Sequence, residues 1–238
     1  MTTFDENWEK SIYSQKKHIN RYPYGELVSV FFNSLKYLNT DVKNREQTKV
    51  LELGCGAGNN LWFFAENGFD TYGIDGSSSA CEIAKNLCNT RGQKVNIQQA
   101  YFDNLPFDDE SVDIIIDRES TYCGTKKNIK QWWKEASRVL KSGGVVVSFK
   151  FSDKNPDLLK INNNKLKAKK IEHNTYEEIE EGTFKDTGIV HFSTCDELFK
   201  IFNFCDIKYI NQHSTNTIFD IVDNQYNYDE WIIVGVKK

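Results

Sequence analysis

The stretch Val50-Leu-Glu-Leu-Gly54-Cys-Gly56-Ala-Gly58-Asn-Asn60 decides the fold. A short apolar run ends in glycines at 54, 56 and 58, and a helical pattern from Asn60 to Asn67 follows until Gly68 stops it. Glycine lets the backbone turn sharply and lets a ligand touch the main chain. The helix start behind the turn offers free N–H groups and a partial positive charge. Strand, glycine turn and helix together form a cradle for a carboxylate, a phosphate or the edge of a sugar.

The next strand, Thr71 to Asp75, narrows the choice. Asp75 lies 21 residues after Gly54 (75 minus 54), where a carboxylate can accept both hydroxyls of a ribose. Nicotinamide dinucleotide sites use the same device, but their fingerprint needs glycine at position 59, which is Asn59 here. Glu52 sits inside the strand, two residues before the first glycine, and suits a cationic ligand better than a pyrophosphate. No Gly-Lys-Ser/Thr follows, so a Walker loop is excluded.

Outward from this loop the chain alternates. Ser78 to Thr90 reads as a helix capped by Ser77 or Ser78, Val95 to Gln99 as a strand, and Val112 to Ile116 as a buried strand. Lys126 to Leu140 is helical, and Ser142-Gly-Gly144 turns into a strand from Val145 to Phe151. Such alternation with short connections predicts an α/β fold, a parallel sheet with helices on both faces. Cys195 to Phe202 is a helix capped by Ser193 or Thr194. Asp206 to Gln212 and Glu230 to Lys237 are antiparallel strands. Upstream, Leu27, Val28, Phe31, Phe32, Leu35 and Leu38 mark an amphipathic helix starting near Tyr24 or Gly25. The whole reads as one domain: a cap segment over 1–45, a core over 48–151, an insertion over 152–192 and a C-terminal unit over 193–238.

Composition removes several classes. A formal charge of −4 over 238 residues argues against a protein that grips nucleic acid through its phosphates. No apolar run approaches the roughly 20 residues of a membrane helix, and the first residues lack a signal peptide's basic and apolar regions. A soluble cytoplasmic protein is the expectation. The six cysteines form no C-x-x-C pair and read as reduced and mostly buried, and no metal site is expected.

Four segments in order are Glu52-x-Gly54-x-Gly56-x-Gly58, Tyr72-Gly-Ile-Asp75, Asn104-Leu-Pro-Phe-Asp-Asp-Glu-Ser-Val-Asp113 and Arg138-Val-Leu-Lys-Ser-Gly-Gly144. Together they resemble the class I S-adenosylmethionine-dependent methyltransferases. The resemblance implies a Rossmann-like sheet of seven strands in the order 3-2-1-4-5-7-6 with the last strand antiparallel, S-adenosylmethionine as cofactor and methyl transfer as activity. Carried over by motif, Glu52, Gly54, Cys55 and Gly56 line the methionine part, Asp75 holds the ribose, and Gly76 and Ser77 lie beside the adenine. Relatives often have Gly-Asp-Ala where this chain has Ala100-Tyr101-Phe102, so Asp103 or Phe102 is expected to take the adenine contact. Asp113 is expected to end a turn or face an edge, and Trp132 and Trp133 to be one core and one surface residue.

The acceptor side rests on less. The exit of the fourth strand, Asp117-Arg-Glu-Ser-Thr-Tyr122, partly resembles thiopurine-type methyltransferases. One reading is a capping cluster for the next helix. The other puts Asp117 and Arg118 near the methionine end, with Glu119 and Tyr122 facing the acceptor. The N-terminal stretch from Trp8 to Tyr24 is dense in aromatic and basic groups. Tyr13 is expected to cover the cofactor and Arg21 to pair with its carboxylate or an anionic acceptor, with His18 and Tyr24 near the substrate. That stretch resembles methyltransferases of bacterial surface-polysaccharide pathways. It suggests methylation of a hydroxyl of a sugar, a nucleotide-sugar or another small polar acceptor. Alternatives are N-methylation of a small molecule, RNA or protein, and a non-catalytic scaffold that binds S-adenosylmethionine. Alcohol methylation needs a base, for which Glu119 and His191 are the candidates. The insertion is either a solvated helical segment or a flap over the site.

Overall fold

The structure is a computed structural model that describes residues 3–38, 44–215 and 228–238. Its main sheet contains β1 (Lys49–Leu53), β2 (Asp70–Asp75), β3 (Asn96–Gln99), β4 (Val112–Arg118), β5 (Leu140–Phe151), β9 (Cys205–Thr215) and β10 (Tyr228–Lys237). Their order is β3-β2-β1-β4-β5-β10-β9. Strands β1 to β5 run parallel, and β10 pairs antiparallel with both β5 and β9. This is the expected Rossmann-like order. The link between the last two strands, 216–227, lies outside the described residues.

The period of two along each strand splits the apolar side chains between two layers. Ile115, Val146 and Ile233 face one layer, with Trp132 and Trp133 of α4 (Lys126–Val139) and Leu198 of α6 (Cys195–Ile201). Ile114, Ile116, Val147, Phe149 and Ile232 face the other, against Leu27 and Phe31 of α1 (Gly25–Ser34) and Phe64 of α2 (Leu61–Glu66). Strands β4 and β5 are covered on both faces, which is why they read as continuous apolar runs. Capping fixes the helix starts. Ser77 accepts from the Ala80 N–H at the start of α3 (Ser78–Thr90), and Thr125 and Thr194 each complete a capping box, at α4 and α6.

Three expectations are corrected. Trp132 and Trp133 are both core residues, because the indole N–H of Trp133 reaches Thr121 and that of Trp132 reaches Thr3 and Asp103, so both rings can be buried. Asp113 lies within β4, buried, where its carboxylate accepts from the Lys49 N–H and pairs with Lys141. The insertion is not mainly helical. After α5 (Pro156–Asn162) it forms a three-stranded antiparallel sheet of β6 (Lys169–Glu172), β7 (Thr175–Glu177) and β8 (Val190–His191). Phe184, Phe192, Ile179 and Tyr176 give it an apolar core that joins Tyr122 and Phe151 of the main body. Among the described residues no helix is long and apolar enough to cross a membrane.

Candidate active site

A cavity of about 370 Å³ opens beyond the carboxyl ends of the parallel strands. Its floor is the loop after β1. Gly54 and Gly56 have φ of +65° and +51°, where side chains other than hydrogen are strained. Space also demands glycine at these points: a Cβ on Gly54 would stand 2.5 Å from Ser120, and one on Gly56 2.5 Å from the Tyr13 hydroxyl. Asp75 closes the neighbouring strand. It accepts from the Gly56 N–H at 2.9 Å and the Ser77 N–H at 2.8 Å. Burial pushes its pKa up to about 6 against those two hydrogen bonds. Glu52 lies below the same loop, buried. One carboxyl oxygen accepts from Asn60 at 2.6 Å and the other has no hydrogen-bond partner. Burial pushes Glu52 up to about 8, with the Asn60 hydrogen bond opposing.

The far wall comes from the exit of β4. The Arg118 guanidinium forms an ion pair with Glu119, lies 3.5 Å from Glu230 of β10 and covers the Tyr24 ring at 4.4 Å. Burial disfavours its charge, but Glu119 and Glu230 together hold it above the usual guanidinium range. Glu119 stands at φ +52° and its pKa is pushed to about 8 by burial, with Arg118 opposing and Glu230 adding to the rise. Tyr122 and Ser120 complete this wall. Phe184 and Thr187 of the insertion also line the cavity.

The N-terminal segment closes the top. Trp8, Tyr13, His18 and Tyr24 line the cavity, and a π-helical turn over Trp8–Tyr13 carries the first two. Glu9 of that turn accepts from the hydroxyls of Ser77 and Ser79 at the start of α3. Asp5 accepts from the Ile189 N–H. Asn59 donates to the Tyr22 carbonyl, and Asn60 accepts from the Tyr24 N–H. Burial, with Lys17 adding, holds His18 below its ordinary pKa.

Several expected site residues stand elsewhere. His191 lies in β8, buried, with Nδ1 2.8 Å from the Thr175 hydroxyl and Nε2 3.4 Å from Glu197, so both ring nitrogens face away from the cavity lining. Asp117 is fully buried behind the wall. It pairs with Lys150 at 2.6 Å and accepts from the N–H groups of Ser120 and Thr121, so it shapes the turn and does not border the cavity. The Lys150 charge holds Asp117 below the usual carboxylate range although burial opposes this. Asp103 is occupied by Thr3 and Trp132 on the outer side, while Phe102 lines the cavity. Ser77 caps α3 and donates to Glu9. The Arg21 side chain is exposed, and its carbonyl accepts from Trp62. Glu230, Asn60, Ser120, Tyr228 and Phe184 were not foreseen. Asn60 had a signal, since it ends the glycine loop at the N-cap of α2 and lies eight residues after Glu52, whereas Glu230 depends on the register of the last hairpin.

Residues 50–144 match the family model for a methyltransferase domain. The uncharacterized methyltransferase YcgJ of Bacillus subtilis is 31% identical over 101 residues, which cover 42% of this chain and 39% of YcgJ. A sarcosine/dimethylglycine N-methyltransferase of Aphanothece halophytica is 33% identical over 110 residues, covering 44% of this chain and 38% of that one. The chain thus spans about two fifths of the length of these relatives. A SAM-dependent methyltransferase structure from Methanosarcina mazei superposes with a TM-score of 0.69 at 20% identity, covering 91% of this chain and 98% of that one. Residues 50–144 thus carry the sequence pattern of a methyltransferase domain on the fold of S-adenosylmethionine-dependent methyltransferases, the class whose cofactor is S-adenosylmethionine.

The residues present fit that cofactor. Among the described residues, the buried side-chain polar atoms without a hydrogen-bond partner belong to Trp8, Glu52, Arg118, Glu119 and Glu230. The first four residues line this cavity and Glu230 touches Arg118. Arg118, Glu119 and Glu230 answer one another's charge, whereas leaving the Glu52 oxygen and the Trp8 indole N–H unpaired costs about 1–3 kcal/mol each, so these two mark where a polar ligand is received. Asp75 is placed for a diol, and the unpaired oxygen of Glu52 for an ammonium or sulfonium charge.

Proposed function

We propose that this protein transfers a methyl group from S-adenosylmethionine to a hydroxyl or amine of a small neutral or cationic acceptor. The observation that carries the reading is the unpartnered carboxyl oxygen of Glu52 beneath a glycine cradle whose other rim is Asp75. Glu52 answers the positive end of the cofactor, Asp75 the ribose, and Phe102 and Tyr101 give apolar walls for the base. When bound, S-adenosylmethionine supplies an activated methyl group. The chain's own part is to align the acceptor, exclude water and take the acceptor's proton. Glu119 faces the cavity and is the residue assigned to that proton.

Charge in the lining supports a neutral or cationic acceptor over a nucleotide-sugar. Apart from Glu52 and Asp75, which are assigned to the cofactor, the lining has the carboxyls Asp5 and Glu119 against Arg118 and His18, with Glu230 behind Arg118. Arg118 is already matched by Glu119 and Glu230, so a diphosphate meets no free cation there. A simple sugar hydroxyl stays compatible, since Tyr24, Tyr122 and Tyr228 offer faces and hydroxyls. The surplus of carboxylates favours an amine as second reading.

The test has two stages. Calorimetry with S-adenosylhomocysteine should show binding, and no heat from a folded sample refutes the reading. Labelled methyl transfer to a panel of monosaccharides, nucleotide-sugars, sarcosine and histamine then sorts the acceptor. Turnover confined to nucleotide-sugars contradicts the charge argument.

A further inference from the structure

We propose that Glu119, Glu230 and His213 form a proton path from the closed acceptor pocket to the surface at the edge of the sheet. The inference rests on methyl transfer as read above and adds the way the reaction's proton leaves.

Transfer of a methyl group to an O–H or N–H acceptor releases one proton. The acceptor lone pair forms the new bond to carbon as the bond from carbon to sulfur breaks, and sulfur keeps that electron pair. The acceptor's proton must go to a base and then to water. Glu119 is the carboxyl on the cavity wall, yet its side chain is only 18% exposed and its partner Arg118 only 8%. A base so enclosed needs an outlet if it is to serve a second turnover.

The sheet supplies one. Glu230 belongs to β10 and is fully buried. One of its carboxyl oxygens faces Arg118 beside Glu119, and the other lies 3.1 Å from Nδ1 of His213. His213 and Glu230 are directly opposed in the β9–β10 ladder, so their contact is set by backbone register and not by chance meeting of loops. His213 is 35% exposed and sits on the edge strand. Imidazole passes a proton between its two nitrogens and is the side chain that exchanges protons most readily near neutral pH. Glu119 shares a side-chain hydrogen bond with Glu230, so it receives the acceptor's proton while the proton it holds passes to Glu230. Glu230 passes one to Nδ1 of His213, which releases one from its other nitrogen to water. One proton enters and one leaves.

The surrounding charges favour a single proton shared by the two carboxyls. Arg118 supplies one positive charge between them, and Lys150 lies nearby. Glu26 from α1 and Asp229 beside Glu230 add negative charge, and Tyr24 and Tyr122 face Arg118 and Glu119. Asp229 is itself tied to Ser152, Gln212 and Ser214, so it does not compete for the path. Burial raises Glu230, with Arg118 and a hydrogen bond from Glu119 opposing, while Glu230 raises Glu119, so the shared proton rests on Glu119.

The experiment follows the His213 ring by NMR titration, its signals assigned by their loss in H213Q. E119Q should move the His213 midpoint by about half a pH unit. In an E230Q background the same E119Q change should have no effect, because the link is cut. A His213 curve identical in wild type and E119Q overturns the path, as does an E119Q shift that survives E230Q, which would be plain long-range electrostatics. The E119Q comparison stands by itself if E230Q does not fold. With an acceptor that turns over, H213Q should lower kcat about tenfold, and added imidazole should restore it. Binding of S-adenosylhomocysteine to H213Q should match wild type. Loss of that binding in wild type would sink the methyltransferase reading and not the path.

Discussion

The two halves of the cavity are built on different plans. The half proposed for the cofactor uses two short segments, 52–60 and 75–77, whose groups hold one another: Glu52 by Asn60, and Asp75 by Gly56 and Ser77. The half proposed for the acceptor draws Tyr24 from the N-terminal segment, Glu119 from the exit of β4, Phe184 from the insertion and Tyr228 from β10. A common ligand can be met by a fixed local motif. A particular acceptor is met by whatever distant parts the fold brings together.

If this contrast is right, changes in one half should leave the other's readout alone. The largest effect should come from Asp75→Ala, which removes the diol acceptor. Affinity for S-adenosylhomocysteine should fall by about 3 kcal/mol, more than a hundredfold, in calorimetry. Glu119→Gln should do the reverse, lowering kcat roughly a hundredfold while cofactor affinity holds within about twofold. A matching loss of affinity would dissolve the distinction.

Proton linkage should separate the halves further. Glu52 with a pKa of about 8 is mostly protonated at neutral pH before ligand arrives. A cationic ligand favours the ionised form, so binding should release a proton and tighten as pH rises. Between about pH 7 and about pH 8.5 the affinity should rise roughly eightfold and then level off. Glu52→Gln should flatten that rise and abolish the buffer dependence of the binding heat. The smallest effect belongs to Phe184→Ala on the insertion. It should raise the acceptor KM about threefold to tenfold, with little change in cofactor binding.

The same contrast explains what the sequence made legible. The loop from Gly54 to Gly58, the spacing to Asp75, the strand–helix rhythm and the antiparallel end were visible because each is encoded locally in glycine, charge or period. Trp133 defeated the reading because its indole partner, Thr121, lies on another element. Asp117 read as a ligand contact because the sequence shows a carboxylate at a strand exit but not Lys150, which neutralises it from β5. His191 was drawn into the small sheet by Thr175 and Glu197, contacts that exist only once the insertion folds. The insertion's own periodicity was hidden by three strands of two to four residues, too short to announce themselves.

The last hairpin joins stability to chemistry. Glu230 faces the wall only while β10 holds its register, with Phe151 opposite on one side and His213 on the other. A slip of one residue would turn that carboxylate to the opposite face of the sheet. Local opening of this edge would therefore silence the acceptor pocket while leaving the nucleoside cradle intact, and a population that still retains S-adenosylhomocysteine but no longer turns over would be the sign of a frayed margin and not of a damaged motif.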